Sequence, residues 1–528
     1  MSRRYPVVIV GAGPVGAALA VDLGMRGVAC ALIESRAGVH RIPKGQMLAH
    51  RTLEHFHFWG IAGELRQARL MPAGYPIGEI TAYGSLMSEY WQAPAGRELV
   101  RPYFFQDYER LPQYCTEAVL RRKLATLAGI DARLGWTARA IEQDGSGARV
   151  SIEQDGGPGR EVLEADYVVG CDGARSVVRE QAGIGREGTD FRQPMVLAVF
   201  RSRELHERLK RFPERSTYRV MRPGLDGYWM FFGRVDVGEG WFFHAPLPQG
   251  AQPERFDVAG LIQEAVGAPV RCEFDYVGSW DLRVAIAERY RERRVFVAGD
   301  AAHSHPPYGA FGLNNGLEDA VNLGWKLEAA LKGWGGEGLL ASYDAERRPV
   351  FREIGEDFIA ARIRGDAEFF ARHDPARDRA GFERAWKGRE SDIGTRLLDY
   401  EPNYEGSPVV AGPAGGKCGA HGQHLFTARA GHHLAPQRLA SGRNVYEEIS
   451  NSSFNLLAVE IEEMELKGFE AAARSLQVPL KVIRDSGRDG CAAYEARLAL
   501  VRPDQFVGWT AMQAPGDPAA VLKKLTGR

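Results

Sequence analysis

The chain has 528 residues, 45% of them hydrophobic and 26% charged, and this length is too great for one compact core. Lys and Arg total 67 and Asp and Glu total 68, so the net charge of −1 gives no support to nucleic acid or an anionic membrane as the main partner. No run approaches the roughly 20 apolar residues that a membrane span requires, and the short apolar run before the first glycines does not resemble a signal peptide, so we expect a cytoplasmic protein.

The N-terminal segment has the pattern of a βαβ unit that binds a nucleotide. A β-rich run ends at Gly11, where the run G-A-G-P-V-G begins; Pro14 opens a helix, and a second strand ends at Glu34. Gly11 allows a tight turn, Gly13 lets backbone N–H groups approach a pyrophosphate, and Gly16 lets the helix pack close to the sheet. The helix N-terminus then faces the phosphate charge, and the Glu34 carboxylate can accept hydrogen bonds from ribose hydroxyls. This motif alone does not distinguish FAD from NAD.

Residues 45–130 are predicted to be mainly helical, and a β-rich stretch follows over residues 195–277. Gly, Pro and charged residues separate the strands of this stretch. One face of an antiparallel sheet packs on a core, and we expect the other face to form an apolar ceiling over a flat ligand. The aromatic residues available to the two faces are Tyr228, Trp229, Phe231, Phe232, Trp241, Phe242 and Phe243.

A second motif occupies residues 294–316, where a buried strand ends in Gly-Asp and a Pro/Gly-rich loop leads to a predicted helix. The carboxylate of Asp300 is placed to bond a polyol chain. Backbone N–H groups near Leu313 and Asn314 can hold an anionic acceptor, which the helix dipole also favours. A reduced flavin carries negative charge at its N1–C2=O edge and suits such a site. The candidate cofactor-binding residues of this motif are Gly299, Asp300, Gly312, Leu313 and Asn314.

In their order and spacing, these segments resemble the p-hydroxybenzoate hydroxylase family of class A FAD-dependent monooxygenases over residues 1–400. The resemblance implies that Asp300 binds the ribityl chain, that the loop 306–314 lies beside the isoalloxazine and that Pro307 lies near the reacting ring. The segment 166–176 is similar to the family's Asp-Gly signature, which serves the FAD pyrophosphate and the nicotinamide cofactor. By the same resemblance, the further cofactor-binding residues are Gln113, Asp172, Gly173 and Arg175.

Two features bear on the nicotinamide cofactor. Lys44 stands where the family carries an arginine implicated in NADPH contact. A lysine keeps the charge but loses the bidentate fork, so the choice between NADH and NADPH stays open. The chain has no second G-x-G-x-x-G after a strand, whereas two-domain flavin reductases have a separate dinucleotide fold for NADPH. This absence favours a hydroxylase over a reductase.

The predicted activity is hydroxylation of an electron-rich, phenolic ring with NAD(P)H and O2. The resemblance implies that NAD(P)H reduces FAD and that O2 then forms a flavin C4a-hydroperoxide, which transfers OH to the ring. His305 lies in the flavin loop, and the other polar candidates could polarise a phenolic oxygen, although each also suits a structural role. The candidate catalytic residues are His305, Pro307, Tyr308, Tyr228 and His244.

Three other functions stay open. A flavin dehydrogenase of the same fold would show little dependence on O2. A Baeyer–Villiger-type monooxygenase would insert oxygen beside a ketone and yield an ester or lactone. A flavin-binding protein without turnover is the third alternative, and the intact loop 306–314 argues against it because a scaffold has no need of a site at the flavin edge.

The predicted fold is α/β. A Rossmann-type FAD-binding domain is expected from residues 1–185 and 280–400, and an inserted antiparallel β-sheet domain over residues 186–279 is expected to bind the substrate. Residues 401–422 concentrate Gly and Pro and are predicted to be a linker to a last domain.

Residues 423–528 resemble the thioredoxin-like C-terminal domain of phenol hydroxylase and related aromatic polyketide hydroxylases, through Gly431-His432-His433, Tyr494 and the run 500–504. This domain has no C-x-x-C pair, so we expect a stabilising or dimer-contact role rather than disulfide exchange. The six cysteines are scattered and are expected to be reduced thiols. No metal site is predicted, because His432-His433 has no partners at ligand spacing. The predicted partners are a small aromatic substrate and, through a dimer contact, a second copy of the chain.

Overall fold

The computed structural model describes residues 3–248, 250–252, 255–487 and 491–528. Two eight-stranded sheets and a four-stranded C-terminal sheet carry the architecture, and helices pack against all three. The predicted α/β class is confirmed. Within the described ranges, no helix combines the length and the apolar character needed to cross a membrane.

The strands and helices follow one another in three stretches of chain. The first contains β1 (Arg3–Val10), α1 (Pro14–Met25), β2 (Cys30–Glu34), β3 (Met47–Leu48), α2 (His50–Phe58), α3 (Ala62–Gln67), β4 (Glu79–Tyr83), β5 (Trp91–Gln92), a 3₁₀ helix (Arg97–Tyr103), β6 (Glu109–Arg110), α4 (Gln113–Leu124), β7 (Ile130–Leu134), β8 (Trp136–Gln143), β9 (Ala148–Gln154), β10 (Arg160–Gly170) and α5 (Val177–Gln181). The second contains β11 (Arg186–Arg201), α6 (Arg203–Arg208), β12 (Thr217–Met221), β13 (Met230–Arg234), β14 (Gly240–Pro246), α7 (Val258–Val266) and β15 (Glu273–Ala287). The third contains β16 (Arg291–Glu292), β17 (Val295–Val297), β18 (His303–Ser304), α8 (Phe311–Leu331), α9 (Glu337–Glu353), a π-helical segment (Ile354–Ala360), α10 (Ala361–Arg372), α11 (Arg379–Asp399), β19 (Tyr400–Tyr404), β20 (Cys418–His421), β21 (Phe454–Val459), α12 (Glu463–Leu476), β22 (Leu480–Asp485), β23 (Leu498–Val501), β24 (Val507–Ala511) and α13 (Pro518–Leu525).

The first sheet is the predicted nucleotide-binding layer, with strand order β16-β17-β10-β1-β2-β7. Its central strands β17, β10, β1, β2 and β7 are parallel. The run Val7–Val10 in β1 is buried throughout, as expected for a parallel strand covered on both faces. Because parallel strands end at one edge, the segments after β1, β10 and β17 meet there, and these are the three segments that carry the motifs.

Successive side chains of the second sheet point to opposite faces, so that one face packs on a core and the other lines a cleft. Its order is β18-β15-β11-β14-β13-β12-β4-β5. In β14, Trp241 and Phe243 enter a core that α7 covers, whereas Phe242 and His244 point to the cleft on the opposite face. The aromatic residues divide as the sequence predicts: Phe232, Trp241 and Phe243 lie in that core, and Trp229, Phe231 and Phe242 line the cleft.

Residues 45–130 differ from the prediction. They contain α2, α3 and α4, but they also contain the strands β3 to β6, of which three have only two residues. Such short strands carry no periodicity that the sequence could reveal. Strands β3 and β6 pair with each other, whereas β4 and β5 extend the second sheet.

Residues 401–422, predicted to be a linker, are an integrated part of the fold. Strands β19 and β20 pair antiparallel and pack against α9, where the Ala420 N–H donates to Glu353 Oε2 at 2.5 Å. The glycines of this segment allow close backbone approach, since a Cβ on Gly412 would lie 2.2 Å from the Glu405 carbonyl oxygen. The Gly and Pro content that predicts a linker reflects this tight packing instead.

The C-terminal sheet, with order β22-β21-β23-β24, packs directly on α8 and α9. The sequence pattern predicts strands at Phe454–Val459, Leu480–Ile483 and Leu498–Val501, which correspond to β21, β22 and β23, whereas β24 was not predicted. The core of this sheet includes Trp325 of α8 and Leu339 of α9 together with Phe454 and Leu456 of β21. The C-terminal region and the helices beneath it therefore share one hydrophobic core.

A buried ion cluster joins the C-terminal region to the same two helices. Arg502 binds both oxygens of Glu346 at 2.6 and 2.9 Å and also pairs with Asp504, and all three side chains are 0% exposed. Lys326 of α8 donates to Glu346 at 2.6 Å. Burial lowers the pKa of Lys326 to about 8, and Glu346 opposes that change. The cluster contains two cations and two anions, so each buried charge has a partner.

We predict that Arg502→Met destabilises the protein by about 3–5 kcal/mol, because it leaves Glu346 and Asp504 buried without their main counter-charge. Chemical denaturation followed by far-UV circular dichroism measures the change. The matched control is Arg139→Met, which removes an exposed pair with Glu153 and should cost less than about 1 kcal/mol. Equal losses in the two variants would contradict this account of the cluster.

Candidate functional site

The turn after β1 is fixed by backbone packing at two of its three glycines. Gly11 has φ +98°, and a Cβ there would lie 2.4 Å from the Cys171 carbonyl oxygen. A Cβ on Gly16 would lie 1.9 Å from the Gly11 carbonyl oxygen. The Ala12 N–H donates to Glu34 Oε2 at 2.8 Å, which ties the turn to the end of β2. The fold itself therefore requires Gly11 and Gly16.

Gly13 is different because it borders empty space. Apart from its chain neighbours, no atom of the described residues lies within 4 Å of a Cβ built on it, and its φ of −64° is open to any residue. Gly13 and Pro14 line the large cleft of the molecule. This is the position at which the sequence predicts close approach of a pyrophosphate, and the structure leaves room for it.

One cleft of about 860 Å³ lies between the first sheet and the second. Its volume falls in the range of cofactor and ligand sites. On the side of the first sheet, the predicted cofactor-binding residues in its wall are Gly13, Pro14, Lys44, Gln113, Arg175, Asp300, Gly312 and Leu313. On the side of the second sheet, the wall includes Leu197, Trp229, Phe231, Phe242, His244 and Trp280.

Asp300 lies in a short 3₁₀ turn after β17, surrounded by protein but with its side chain exposed to the cleft. Burial raises the pKa of this carboxyl, and His303 and Lys44 oppose the rise. The turn is held from behind, where the Gly299 N–H donates to Asp319 Oδ2 at 3.0 Å. His303 Nε2 donates to the same oxygen at 2.6 Å, so it braces the turn, and it does not line the cleft in the described structure.

The Asp-Gly segment contributes Cys171 and Arg175 to the cleft, whereas Asp172 and Gly173 shape the backbone. Asp172 accepts from the Ser176 hydroxyl and from the Val178 N–H at 3.1 Å, so it caps α5. Gly173 has φ +82°, a conformation that glycine adopts without strain. Asp172 and Gly173 do not line the cleft in the described structure.

The loop before α8 is held by Asn314 and by Arg97. Asn314 Nδ2 donates to the Met47 and Ala310 carbonyls at 3.0 and 2.7 Å, and Oδ1 accepts from the Ala49 N–H and the Thr52 hydroxyl, both at 2.7 Å. The side chain of Asn314 thus joins two backbone segments and has all its hydrogen-bonding groups occupied, whereas Gly312 and Leu313 line the cleft. Ala310 has φ +57°, a strained conformation for a residue with a side chain, and Arg97 donates to the neighbouring Gly309 carbonyl at 2.8 Å.

Two neutral histidines present opposite hydrogen-bonding groups to the cleft. Trp280 Nε1 donates to His244 Nδ1 at 3.2 Å, and because an indole N–H only donates, the proton of His244 is on Nε2. His305 Nδ1 contacts the Pro306 carbonyl, which only accepts, so its Nε2 carries the lone pair. Burial lowers the pKa of each histidine to about 4. Near neutral pH, His244 therefore offers a donor and His305 an acceptor.

The two candidate tyrosines occupy different positions. Tyr308 lines the cleft and stacks on Trp229 with ring centroids 3.4 Å apart; burial raises the pKa of its hydroxyl well above its usual range. Tyr228 is 8% exposed, packs in the main core and does not line the cleft in the described structure. Pro307 is exposed to the cleft.

Several polar residues of the cleft were not predicted. Gln46, Arg110, Arg219 and Arg362 all belong to its wall. Arg219 interrupts the apolar strand β12. An arginine in such a strand could have been recognised from the sequence as a candidate cleft residue. Arg110 lies in the two-residue strand β6, and its neighbours in the sequence do not indicate that its side chain contacts the second sheet.

No group of three or more His, Cys, Asp or Glu side chains in the described ranges could hold a metal ion. His432, considered above for a metal site, contacts the carboxylates of Glu401 and Glu405 at 2.9 and 2.8 Å.

Comparison with known proteins agrees with this geometry. The family model described as an FAD binding domain matches residues 4–357. The 4-methyl-5-nitrocatechol 5-monooxygenase of a Burkholderia species is 29% identical over 98% of this chain and 96% of its own. The aklavinone 12-hydroxylase of Streptomyces purpurascens is 28% identical over 100% of this chain and 99% of its own. Among solved structures, an aklavinone-11 hydroxylase with FAD and aklavinone is 26% identical, with a TM-score of 0.83 and full coverage of both chains.

We predict that Gly13→Ala and Gly16→Ala separate cofactor binding from folding. At Gly13 the new methyl group meets no protein atom, so stability should change by less than about 1 kcal/mol, whereas FAD affinity should fall at least about 10-fold because the methyl group blocks the phosphate. Gly16→Ala should instead lower the melting temperature of the apoprotein. Thermal unfolding and FAD titration by fluorescence measure the two effects. Unchanged FAD affinity in Gly13→Ala would place the pyrophosphate elsewhere.

Proposed function

The chain belongs to the FAD binding domain family, and on that premise we propose that it is an FAD-dependent monooxygenase that hydroxylates an electron-rich aromatic ring. One atom of O2 enters a ring C–H bond, and the other atom is reduced to water. NAD(P)H supplies the two electrons for that reduction and leaves as NAD(P)⁺, and one proton comes from solvent.

The observation that carries this proposal is the shared cleft. The three nucleotide-binding segments form one wall, and the aromatic face of the second sheet forms the opposite wall. A cofactor held by the first wall and a flat ligand on the second would therefore lie in one cavity. The apolar side chains of Phe231 and Phe242 reduce the access of water to that space, which an oxygen-transfer reaction requires.

The residues present fit FAD. Gly13 leaves space for the pyrophosphate, and the carboxylate of Asp300 is exposed to the cleft, where it can accept hydrogen bonds from ribityl hydroxyls. The first turn of α8 has backbone N–H groups without helical partners, which suit an anionic flavin edge at Gly312 and Leu313. When bound, FAD supplies the electron transfer and O2 activation that side chains do not provide.

The protein's own contribution is to orient the ring and to manage protons. His244 would donate its Nε2–H to an oxygen of the ligand, and His305 would accept a proton or hydrogen bond at Nε2. His305 also lies near the start of α8, with its Nε2 3.4 Å from the position of a Cβ on Gly312. We therefore assign the acceptor role beside the flavin to His305 and the orienting role on the sheet to His244.

The C-terminal region supports the site through α8. The Arg502 cluster and the common hydrophobic core favour the stabilising role predicted above. The thioredoxin-like character of this region, the domain boundaries, the homodimer and the cytoplasmic location stay predictions.

The proposed function predicts that the FAD-loaded protein transfers oxygen from O2 to an aromatic ring. Turnover under ¹⁸O2 with NADH or NADPH and a series of mono- and polycyclic phenols should give a product with one ¹⁸O atom. One nicotinamide should be oxidised per product molecule. Reduction of FAD without any hydroxylated product would instead favour an oxidase if the electrons are recovered as hydrogen peroxide, or a dehydrogenase if the reduced flavin reoxidises slowly in air.

A further inference from the structure

Among the buried hydrogen-bond donors of the cleft wall that lack partners in the described residues, three lie around one aromatic ring. Arg110 Nε, Gln46 Nε2 and His244 Nε2 bond to no group in the described residues. The guanidinium carbon of Arg110 lies 6.0 Å from the centroid of the Phe242 ring, and the His244 ring centroid lies 5.5 Å from it. Gln46 joins this corner because its Oε1 accepts from Arg110 Nη2 at 2.8 Å. All three residues line the cleft although these nitrogen atoms are themselves buried, so a ligand would bond to them after their side chains rotate.

All three groups donate, so the missing partner is an acceptor. The tautomer of His244 places its proton on Nε2, and guanidinium and amide nitrogens only donate. Buried donors without acceptors are rare because each has lost its bonds to water. Three of them at one wall indicate a site that is completed by a ligand with several acceptor positions.

Arg110 also lacks a negative partner. It is 3% exposed, forms no ion pair with a described carboxylate, and has the buried guanidinium of Arg234 as a neighbour. Burial, with a smaller contribution from Arg234, lowers the pKa of Arg110 to about 9. Arg219 provides a contrast in the same cleft, since Glu79 pairs with it at 2.8 Å. A buried cation without a counter-charge favours an anion in the adjacent cavity.

The apolar residues beside this corner favour a flat ligand. Phe242 packs with Ile42 and Leu197 in a small apolar cluster, and Phe231 lies beside it. A flat ring can lie against this apolar surface while a substituent at its edge reaches Arg110. Among the oxygen substituents of an aromatic ring, a carboxylate is ionised at neutral pH, whereas a phenol with an ordinary pKa of about 10 is not. A carboxylate also matches the geometry of a guanidinium.

We propose that this corner of the cleft is a carboxylate-binding subsite, formed by Arg110, Gln46 and His244, and that it selects an aromatic acid as substrate. The inference rests on the proposed function in taking the ligand to be aromatic. It adds that the ring carries a carboxylate and identifies the residues that bind it.

The test compares 2-naphthoate with methyl 2-naphthoate and 2-naphthol on the FAD-loaded protein, using isothermal titration calorimetry at pH 7. The wild-type protein should bind the acid at least about 10-fold more tightly than the ester or the naphthol. In Arg110→Met the affinity for the acid should fall about 10- to 100-fold, while the affinity for the ester changes less than about 3-fold.

Two further variants keep the test decisive if Arg110→Met does not fold. Gln46→Glu is nearly isosteric and places a carboxylate beside Arg110, so it should weaken binding of the acid and spare the ester. Arg149→Met removes an exposed arginine that pairs with Glu142 outside the cleft and should change neither affinity. Bound FAD, measured from its absorbance, reports whether each variant retains the cofactor site.

The outcomes separate the two proposals. Equal binding of acid, ester and naphthol, or equal loss of acid and ester in Arg110→Met and Gln46→Glu, would overturn the carboxylate subsite. Selective loss of the acid in a protein that incorporates no ¹⁸O would support the subsite and contradict the proposed hydroxylase.

Discussion

Helix α8 is buried along almost its whole length, yet it carries four charged side chains, and pairing these charges fixes its surroundings. Glu318, Asp319, Lys326 and Glu328 are each at most 7% exposed. A charge in such a place must be paired and hydrogen-bonded, since its desolvation is otherwise prohibitive. Their partners come from several separate segments of the chain: Arg51 and His55 for Glu318, His303 and Arg347 for Asp319, Glu346 for Lys326, and Arg26 for Glu328.

The N-terminal end of α8 lies in the wall of the cleft, so the position of this helix determines the geometry of the cleft there. Asp319 accepts a hydrogen bond from the Gly299 N–H, so the turn that contains Asp300 is attached to the helix. The loop that enters α8 contains Ala310 in a left-handed conformation, which costs on the order of 1–2 kcal/mol. That conformation persists because the surrounding contacts are fixed, including the bond from Arg97 to the Gly309 carbonyl. The C-terminal region acts on the same helix through Arg502, so it is part of this framework although it does not supply the nucleotide motifs.

The sequence predicted those features whose signal is local. The glycine turn at 11–16, the carboxylate of Asp300 and the alternating aromatic face of the second sheet each follow from neighbouring residues. Contacts between residues that are far apart in the sequence could not be predicted from neighbouring residues. Asn314 could not be recognised as a side chain that joins backbone segments, because its partners Met47 and Ala49 are far away in the sequence.

The same limit explains the residues that were missed. Arg110 lies in a two-residue strand, and its place beside Phe242 depends on contacts across 132 positions of the chain. The segment 401–422 has the composition of a linker, yet its glycines allow backbone segments to pack closely. A high glycine content shows that the backbone can adopt unusual conformations. Both a flexible linker and a tightly packed hairpin need that freedom, so composition does not distinguish them. Tyr228 is aromatic and polar like Tyr308, and both are buried, but of the two only Tyr308 lines the cleft in the described structure.

We propose that one cleft holds the flavin and the aromatic ligand together, so that the ligand affects the flavin directly. Stopped-flow absorbance of the FAD-loaded protein, mixed anaerobically with NADH or NADPH in the presence and absence of aromatic acids, tests this most directly. We expect a bound aromatic acid to perturb the flavin spectrum and to accelerate flavin reduction. A spectrum and a reduction rate that no aromatic ligand alters would contradict the shared cleft.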